Sequence, residues 1–321
     1  SCQELLHKRG YDTVDCPLSF DSGPKEEECM KYLLKEHGIS LLIVDSYQVT
    51  KEYLSMLKKM VHLAYIDDVN AFDYPVDDLI NYNVFATEEF YGNSQNSSLK
   101  KYFLGPAYAP VRPEFSTIKK QSRSVVYDGM SKCIDERKTA AVNDLSVLIS
   151  VGGTDAGGLS YLIAGRIKEM HPGWKLHVLC GPFSRQKEAL EALNDRYGGV
   201  YIHCNIPDVW EVMKLCDVAV SAGGSTMYEL ATMEKAIVTF YFVENQRRIA
   251  EGFAQRNGAI SLGAYTEENR DEFLNALSEC LETLWREEGR IHALGQRAGE
   301  LVDGCGAARL AKALLSECRN R

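Results

Sequence analysis

The stretch Val218-Ala-Val-Ser-Ala-Gly-Gly-Ser-Thr-Met-Tyr-Glu-Leu230 decides the fold class of this chain. Its first five residues form the short apolar run of a buried strand, and the residues after the two glycines have the polar start of a helix. A strand that leads through a glycine turn into a helix is the repeating unit of a parallel α/β sheet. The stretch therefore predicts one βα unit of a doubly wound sheet.

The loop of this unit also carries candidate chemistry. Gly223, Gly224, Ser225 and Thr226 would lie at a helix start, where unpaired N–H groups and the helix dipole favour an anion such as phosphate. Glu229, one turn further on, could accept hydrogen bonds from both hydroxyls of a ribose. The spacing Thr226-x-x-Glu229 is equally that of a capping box, which needs no ligand. Spacing alone leaves both roles open.

A second loop of the same design lies upstream, in Val147-Leu-Ile-Ser-Val-Gly-Gly-Thr-Asp155. Gly152 and Gly153 permit close backbone approach, and Thr154 with the first amides of the following helix could hold an anionic group. The alternative is a plain tight turn in which Thr154 or Asp155 caps the helix.

Strand-like and helical patterns alternate around both loops, which predicts right-handed βαβ units and parallel sheets. In the second half, strand-like runs occupy residues 145–151, 175–180, 199–204, 218–222, 236–242 and 259–263. We predict an α/β protein with two doubly wound, Rossmann-like domains that face each other across a cleft. The first would span residues 1–130, and the second, a nucleotide-binding domain with a helical tail, residues 131–321.

Polar residues follow other predicted strands, at the edge where open α/β sheets bind ligands. Asn245 and Gln246 come after one strand-like run and could orient a sugar hydroxyl, a phosphate oxygen or a water, although Asn245 could also be only an N-cap. In the first domain, Asp45 and Tyr47 follow a strand of buried type, and Asp68 follows the next. Helix capping and simple packing are the structural alternatives.

Composition excludes several classes of protein. The chain has 321 residues, of which 45% are apolar and 25% charged, as in an ordinary globular protein, and its net charge of −9 argues against a nucleic-acid partner. No apolar run approaches the length of a membrane span. The ten cysteines are scattered without a C-x-x-C pair, so we expect neither a metal site nor a cofactor, and a reducing, cytoplasmic setting.

The run from Ser221 to Leu230, followed by Val243-Glu-Asn-Gln246, resembles the UDP-2,4-diacetamido-2,4,6-trideoxy-β-L-altropyranose hydrolases of pseudaminic acid synthesis and related spore-coat polysaccharide proteins. Further stretches agree in order, namely Val44–Tyr47, Ile66–Asp68, Leu104–Ala109, Arg112–Phe115, Val151–Asp155 and Asp303–Gly306.

The resemblance implies a GT-B fold whose carboxyl-terminal domain holds UDP. The resemblance also implies that the loops 152–154 and 223–226 face the diphosphate and that Glu229 lies near the nucleotide. It further implies that Tyr47 and Asn245 belong to the active site. The implied reaction is hydrolysis of a UDP-sugar at its anomeric carbon with loss of UDP. A GT-B glycosyltransferase with a UDP-sugar donor and a non-catalytic nucleotide-sugar-binding protein are the alternatives.

The sequence departs from that family at two places. Ser46 stands where family members usually have histidine. The family also opens with a strand and a Gly-x-Gly-His loop that carries the general base, whereas this sequence begins about where the family's second helix would. We therefore expect the base to lie in a segment outside this sequence.

Overall fold

The computed structural model of the protein describes residues 2–16, 20, 23–92, 101–117, 144–153, 155–181 and 184–318. Within them the predicted alternation of strands and helices is confirmed. The strands are β1 (Leu41–Val44), β2 (His62–Ile66), β3 (Asp78–Asn81), β4 (Lys101–Leu104), β5 (Ser146–Ser150), β6 (Lys175–Cys180), β7 (Val200–Cys204), β8 (Val218–Ala222), β9 (Ala236–Tyr241) and β10 (Ile260–Ala264). The α-helices are α1 (Cys2–Lys8), α2 (Pro24–Glu36), α3 (Lys51–Lys58), α4 (Leu159–Met170), α5 (Lys187–Tyr197), α6 (Val209–Leu215), α7 (Thr226–Thr232), α8 (Glu244–Gln255), α9 (Arg270–Arg286), α10 (Arg290–Leu301) and α11 (Gly306–Cys318).

The first sheet has the order β1-β2-β3-β4, and its first three strands are parallel. Helix α3 connects β1 to β2. Its N-cap is Thr50, whose side chain accepts a hydrogen bond from the backbone N–H of Tyr53 at 3.1 Å. Its apolar side buries Leu54 and Leu57 completely, or nearly so. Burial of such a side chain contributes about 1.5–3 kcal/mol, which explains why this short helix is stable.

The second sheet has the order β10-β9-β8-β5-β6-β7, and all its pairs are parallel. The chain starts in the middle with β5, moves outward through β6 and β7, and then returns to place β8 on the other side of β5. The strand order thus reverses between β5 and β8, and this reversal is the topological switch point at which open α/β sheets bind ligands. Both predicted glycine loops follow these two strands.

The strands of the second sheet are apolar on both faces because helices cover both. Ile149 and Val220 point into one apolar cluster, and their neighbours Leu148 and Ala219 into the cluster on the opposite face. All four side chains are at most 1% exposed. This double burial is the reason for the continuous apolar runs in the sequence.

The chain divides into two compact units. One holds the described residues up to Ile80 together with residues 101–102 and the end of α11 from Leu314, and the other holds residues 81–92 and the described residues from Phe103 to Ala313. The predicted boundary after residue 130 lies outside the described residues. Among the helices that the structure describes, none has both the length and the apolar character to span a bilayer.

Candidate functional site

The two glycine loops begin side by side in the second unit. Ser150 at the end of β5 is the direct register partner of Ser221 in β8. Gly152 lies two residues after Ser150, and Gly223 lies two residues after Ser221. The N–H of Gly223 donates to the carbonyl of Phe240 at 2.8 Å, which ties the second loop to β9 as well. The fold thereby brings together two loops that are far apart in the sequence.

Gly223 and Gly224 differ in what surrounds them. A Cβ on Gly223 would lie 2.4 Å from the carbonyl oxygen of Gln246, so the first turn of α8 packs directly on this backbone position. A Cβ on Gly224 would meet no atom of the described residues within 4 Å. Gly223 is therefore needed for packing, whereas Gly224 leaves its backbone open to a ligand.

The upstream loop is organised by Asp155. Its buried carboxylate accepts hydrogen bonds from the N–H of Ser160 at 3.1 Å, from the Ser160 hydroxyl at 2.5 Å and from the Ser184 hydroxyl at 3.3 Å. The N-cap of α4 is Gly158, so the N-cap alternative for Asp155 is wrong; Asp155 instead bonds to the second residue of that helix and to Ser184, which follows β6. Gly152 is left-handed, with φ of 98°. Thr154 lies outside the described residues.

Glu229 pairs with an arginine that is distant in the sequence. Its Oε1 lies 3.1 Å from Nη2 of Arg112, and both side chains are mostly buried, with 23% and 29% exposed. Burial raises the pKa of Glu229, and the positive charge of Arg112 opposes that rise. Ser225, the N-cap residue of α7, makes no side-chain capping bond. Because Ser225 and not Thr226 is the N-cap, Glu229 lies four residues after it, and the capping box read from Thr226-x-x-Glu229 is wrong.

Arg112 is itself held from several sides. Its Nη1 donates to the carbonyl of Pro207 at 3.1 Å, and its guanidinium carbon lies 5.0 Å from the ring centre of Phe115 and 5.1 Å from that of Trp210. An arginine fixed by two rings and a carbonyl presents its remaining N–H groups in one direction. Glu229 is thus oriented by a rigid partner.

A cavity of about 80 Å³ opens beside this pair. Tyr82, Val111, Ser225 and Tyr228 line it together with the Arg112–Glu229 pair. The enclosed volume is smaller than that of ordinary small-molecule pockets, so it can surround only part of a ligand.

The Tyr228 side chain connects α7 to Asn83 and Val84. Its hydroxyl donates to Oδ1 of Asn83 at 3.1 Å and accepts a hydrogen bond from the N–H of Val84 at 3.0 Å. Burial raises the pKa of Tyr228, which keeps the hydroxyl protonated and able to donate. The amide of Asn83 in turn donates to Asn81, at 2.9 Å. These bonds fix the helix turn that carries Glu229.

Asn245 and Gln246 lie in the first turn of α8, and the N-cap is Val243. Asn245 is exposed, and its Oδ1 accepts from the N–H of Gln246 at 3.0 Å. The side-chain oxygen of Gln246 accepts from the N–H of Phe242 at 3.0 Å and so closes the start of the helix. The N-cap alternative for Asn245 is wrong, because the chain enters the helix two residues earlier.

The chain matches no protein-family model. Two curated relatives are similar at low identity. An uncharacterised protein of Methanocaldococcus jannaschii is 23% identical over 234 residues, which cover 71% of this chain and 45% of the relative. The pseudaminic acid cytidylyltransferase and UDP-2,4-diacetamido-2,4,6-trideoxy-β-L-altropyranose hydrolase of Helicobacter pylori is 24% identical over 291 residues, 86% of this chain and 48% of the relative. The chain spans about half the length of these relatives.

Solved structures show the architecture more completely. MurG of Acinetobacter baumannii aligns with a TM-score of 0.62 at 13% identity over 98% of this chain and 88% of its own. A glycosyltransferase of Rickettsia africae reaches 0.63 at 12% identity over 99% and 88%. UDP-GlcNAc 2-epimerase of Neisseria meningitidis, solved with UDP-GlcNAc, reaches 0.59 at 10% identity over 98% and 88%. This chain has the GT-B fold.

Within the GT-B chain, the other two predicted residues lie in the first unit. Tyr47 is 76% exposed, and its hydroxyl donates to Oδ2 of Asp68 at 2.7 Å. Asp45 is also exposed. Because β1 and β2 are parallel neighbours, Tyr47 and Asp68 both follow strand ends at the same edge of the first sheet. Solvent exposure argues against a packing role for Tyr47.

Sequence reasoning assigned no role to Arg112, Tyr82 or Tyr228, which the structure places around Glu229. One signal was present. Arg112 begins a short run in which an arginine and an aromatic residue flank proline and glutamate, and such an arginine often stacks on the ring. Nothing in the sequence indicates that its carboxylate partner is Glu229.

Proposed function

We propose that this chain is an enzyme that acts on a UDP-sugar and holds the nucleotide in its second unit. The observation that carries the proposal is the arrangement at the switch point, where two glycine loops start from register-paired strands and an oriented carboxylate lies one turn beyond the second loop. The Neisseria epimerase, which has the same fold, was solved with UDP-GlcNAc and supports this ligand class.

In this proposal the backbone N–H groups of the two loops bind the diphosphate. Gly224 leaves room for the phosphate oxygens to approach, and the hydroxyls of Ser225 and Thr226 add donors. Gly152, Gly153 and Thr154 act from the other loop. Glu229, oriented by Arg112, accepts hydrogen bonds from the ribose hydroxyls.

We further propose that the reaction is hydrolysis, with release of UDP and a free amino-deoxy sugar in nonulosonate or surface-polysaccharide synthesis. UDP leaves as a stabilised anion, so the protein needs only to hold the diphosphate and direct a water at the anomeric carbon. We assign orientation of the water and sugar to Tyr47 and Asn245, assisted by Asp45 and Gln246. The printed name of the Helicobacter relative, which includes such a hydrolase, supports this assignment. Free cysteines such as Cys180 and Cys216 support a reducing, cytoplasmic setting.

Glycosyl transfer is the second candidate, because the Rickettsia glycosyltransferase has the same fold and a fold does not determine which acceptor is used. The two reactions differ in their second substrate. A hydrolase releases UDP in water alone, whereas a transferase releases it at a useful rate only with an acceptor.

The test is an assay of UDP and free sugar formed from UDP-GlcNAc and from a UDP-diacetamido-trideoxyhexose, with the full-length protein. We expect equal amounts of UDP and free sugar without any acceptor. Release of UDP that depends on an added acceptor would replace hydrolysis by transfer. Failure of the protein to bind UDP at all would overturn the proposal as a whole.

A further inference from the structure

A groove of about 300 Å³ runs along α8 in the second unit, and it is separate from the cavity beside Glu229. The residues that shape it are Phe85, Thr87, Arg248, Gly252, Gln255 and Arg256. None of them lines the other cavity. Its volume is at the lower limit of pockets that bind small organic molecules.

The groove follows from the periodicity of α8. Arg248 and Gly252 are four residues apart and therefore lie on one face of the helix. Arg256, the C-cap residue, follows four residues later, about 12 Å from Arg248 along the axis. Gly252 leaves the middle of that face without a side chain. A Cβ on Gly252 would lie 2.6 Å from Cγ1 of Val84, so the helix packs closely against Val84. Arg248 lies before this contact in the chain and Arg256 after it.

The guanidinium of Arg248 is held by aromatic rings. Its central carbon lies 5.5 Å from the ring centre of Phe90 and 5.9 Å from that of Phe85, and these two rings pack edge to face at 5.3 Å. Such contacts fix the plane of the guanidinium and leave its N–H groups directed along that plane.

The carboxylate nearest to Arg248 is shared. Glu244 Oε1 lies 3.6 Å from Nε of Arg248, whereas the two oxygens of Glu244 lie 2.6 and 2.7 Å from Arg247. The hydrogen bond from Arg247 is also the main cause that lowers the pKa of Glu244. One carboxylate therefore serves two arginines, and its shorter bonds go to Arg247, which does not line the groove.

The other charges along the groove leave it positive. Glu251 lines it, but its carboxylate is 2.9 Å from Nη1 of Arg247 and also accepts the Tyr241 hydroxyl at 3.3 Å. Arg256 donates to the carbonyl of Val84, and no carboxylate of the described residues lies within 4.0 Å of it. The charged residues that line the groove are thus two arginines and one glutamate, in a chain whose net charge is −9.

We propose that this groove binds a small metabolite that carries a carboxylate or a phosphate, with the oxyanion on Arg248. The planar fork of a guanidinium fits the paired oxygens of either group. The Thr87 hydroxyl and the Gln255 amide can bond a polar body, and Phe85 can cover its apolar side. This inference does not rest on the proposed UDP site. The ligand would be a second substrate or an effector that contacts the helix whose first turn carries Asn245.

The test measures binding of three probes of similar size, glycerol phosphate, glucuronate and uncharged glucose, by calorimetry or ligand-observed NMR with saturating UDP present. We expect at least one anionic probe to bind and glucose not to bind. Arg248→Gln should weaken the anion about tenfold or more, and Arg248→Lys should weaken it less. The matched control is Arg297→Gln, an exposed arginine in an ion pair with Glu300, which should leave binding unchanged.

A second variant keeps the test valid if Arg248→Gln folds poorly. Gln255 is exposed, so Gln255→Glu adds a negative charge beside the groove without disturbing packing, and it should also weaken the anion. A phosphate ligand would bind more tightly as the pH rises through about 6, because its second proton is lost there, whereas a carboxylate would not. UDP affinity of the same variants separates this site from the nucleotide site, and we expect it to stay at the parent value. If neither anion binds in the presence of saturating UDP, or if both variants bind the anion as the parent does, the proposal is overturned.

Discussion

Glu229 is the residue whose interpretation changes most between sequence and structure. Its spacing from Thr226 is that of a capping box, yet its carboxylate bonds to Arg112, 117 positions earlier in the chain. A buried glutamate beside an arginine is costly to desolvate and is stabilised by charge. Arg112 therefore orients the Glu229 carboxylate, which can still accept further hydrogen bonds.

The first prediction concerns this pair. Glu229→Gln should lower UDP affinity about tenfold to a hundredfold, because a hydrogen bond to a charged group contributes about 1.5–3 kcal/mol. Arg112→Gln should let the pKa of Glu229 rise further, so that UDP affinity is lost as the pH falls through the raised value. Calorimetry at about pH 8 and about pH 5.5 measures both effects, since both values lie above the ordinary pKa of a glutamate, about 4.3, and only a raised pKa brings protonation into this interval.

Glu211→Gln is the control for that experiment. Glu211 is an exposed glutamate paired with Lys214, so its loss should change neither UDP affinity nor stability appreciably. If Glu229→Gln lowers the melting temperature but leaves UDP affinity intact, the role of Glu229 is structural.

The second prediction concerns Tyr47 and Asn245, which are both exposed. Asn245→Ala and Tyr47→Phe should lower turnover by about a hundredfold while UDP affinity stays within a few-fold, since interactions made mainly in the transition state affect the catalytic constant. UDP release, UDP affinity and melting temperature are measured together in the full-length protein. Near-normal turnover in both variants would contradict the assignment.

At the scale of single elements, the junction of α7 and α8 with the second glycine loop positions the site. Gly223 packs under the first turn of α8, and Gln246 closes that turn by accepting from Phe242. The strand predicted over residues 236–242, before α8, is observed as β9 and ends one residue earlier, at Tyr241. The polar residues after this strand belong to a helix start and not to an extended loop.

The third prediction compares Gly223→Ala with Gly224→Ala. The first variant forces a methyl group to within 2.4 Å of a carbonyl oxygen and should destabilise the fold by about 1–3 kcal/mol. The second has space for its methyl group and should keep the parent's stability, but the methyl would stand where we place the diphosphate and should weaken UDP. Denaturant unfolding and UDP calorimetry separate the two effects. Equal UDP affinity in Gly224→Ala and the parent would remove the diphosphate from this loop.

At the scale of the whole molecule, the two units should respond differently to nucleotide. UDP at about one hundred times its dissociation constant should stabilise the bound unit by about 2.7 kcal/mol and slow amide exchange there by about a hundredfold. Our fourth prediction is that this protection covers residues 150–160 and 222–230 and leaves β1 and β2 at their free rates. Hydrogen exchange followed by mass spectrometry measures this protection. Protection of the first sheet alone would place UDP in the first unit and contradict the prediction.

The sequence by itself determined the class of fold, because its signals are local. Apolar runs bounded by glycine turns define β5 and β8, and glycines at 289 and 304 separate the helices of the tail, both with left-handed φ. Two doubly wound α/β domains could be predicted from these periodicities, whereas the GT-B fold was implied by the resemblance to a known family. The role of the glycine loops in ligand binding stays a prediction.

Only the tertiary structure decided how the candidate site is built. The pairing of Arg112 with Glu229 and the bond from Tyr228 to Asn83 join residues 117 and 145 positions apart. Such bonds leave no periodic trace in the sequence, because an ion pair depends on where two chain segments meet in space and not on their spacing along the chain. The sequence likewise left Asn245 open as an N-cap, whereas in the structure Val243 holds that position and the first turn of α8 packs on Gly223.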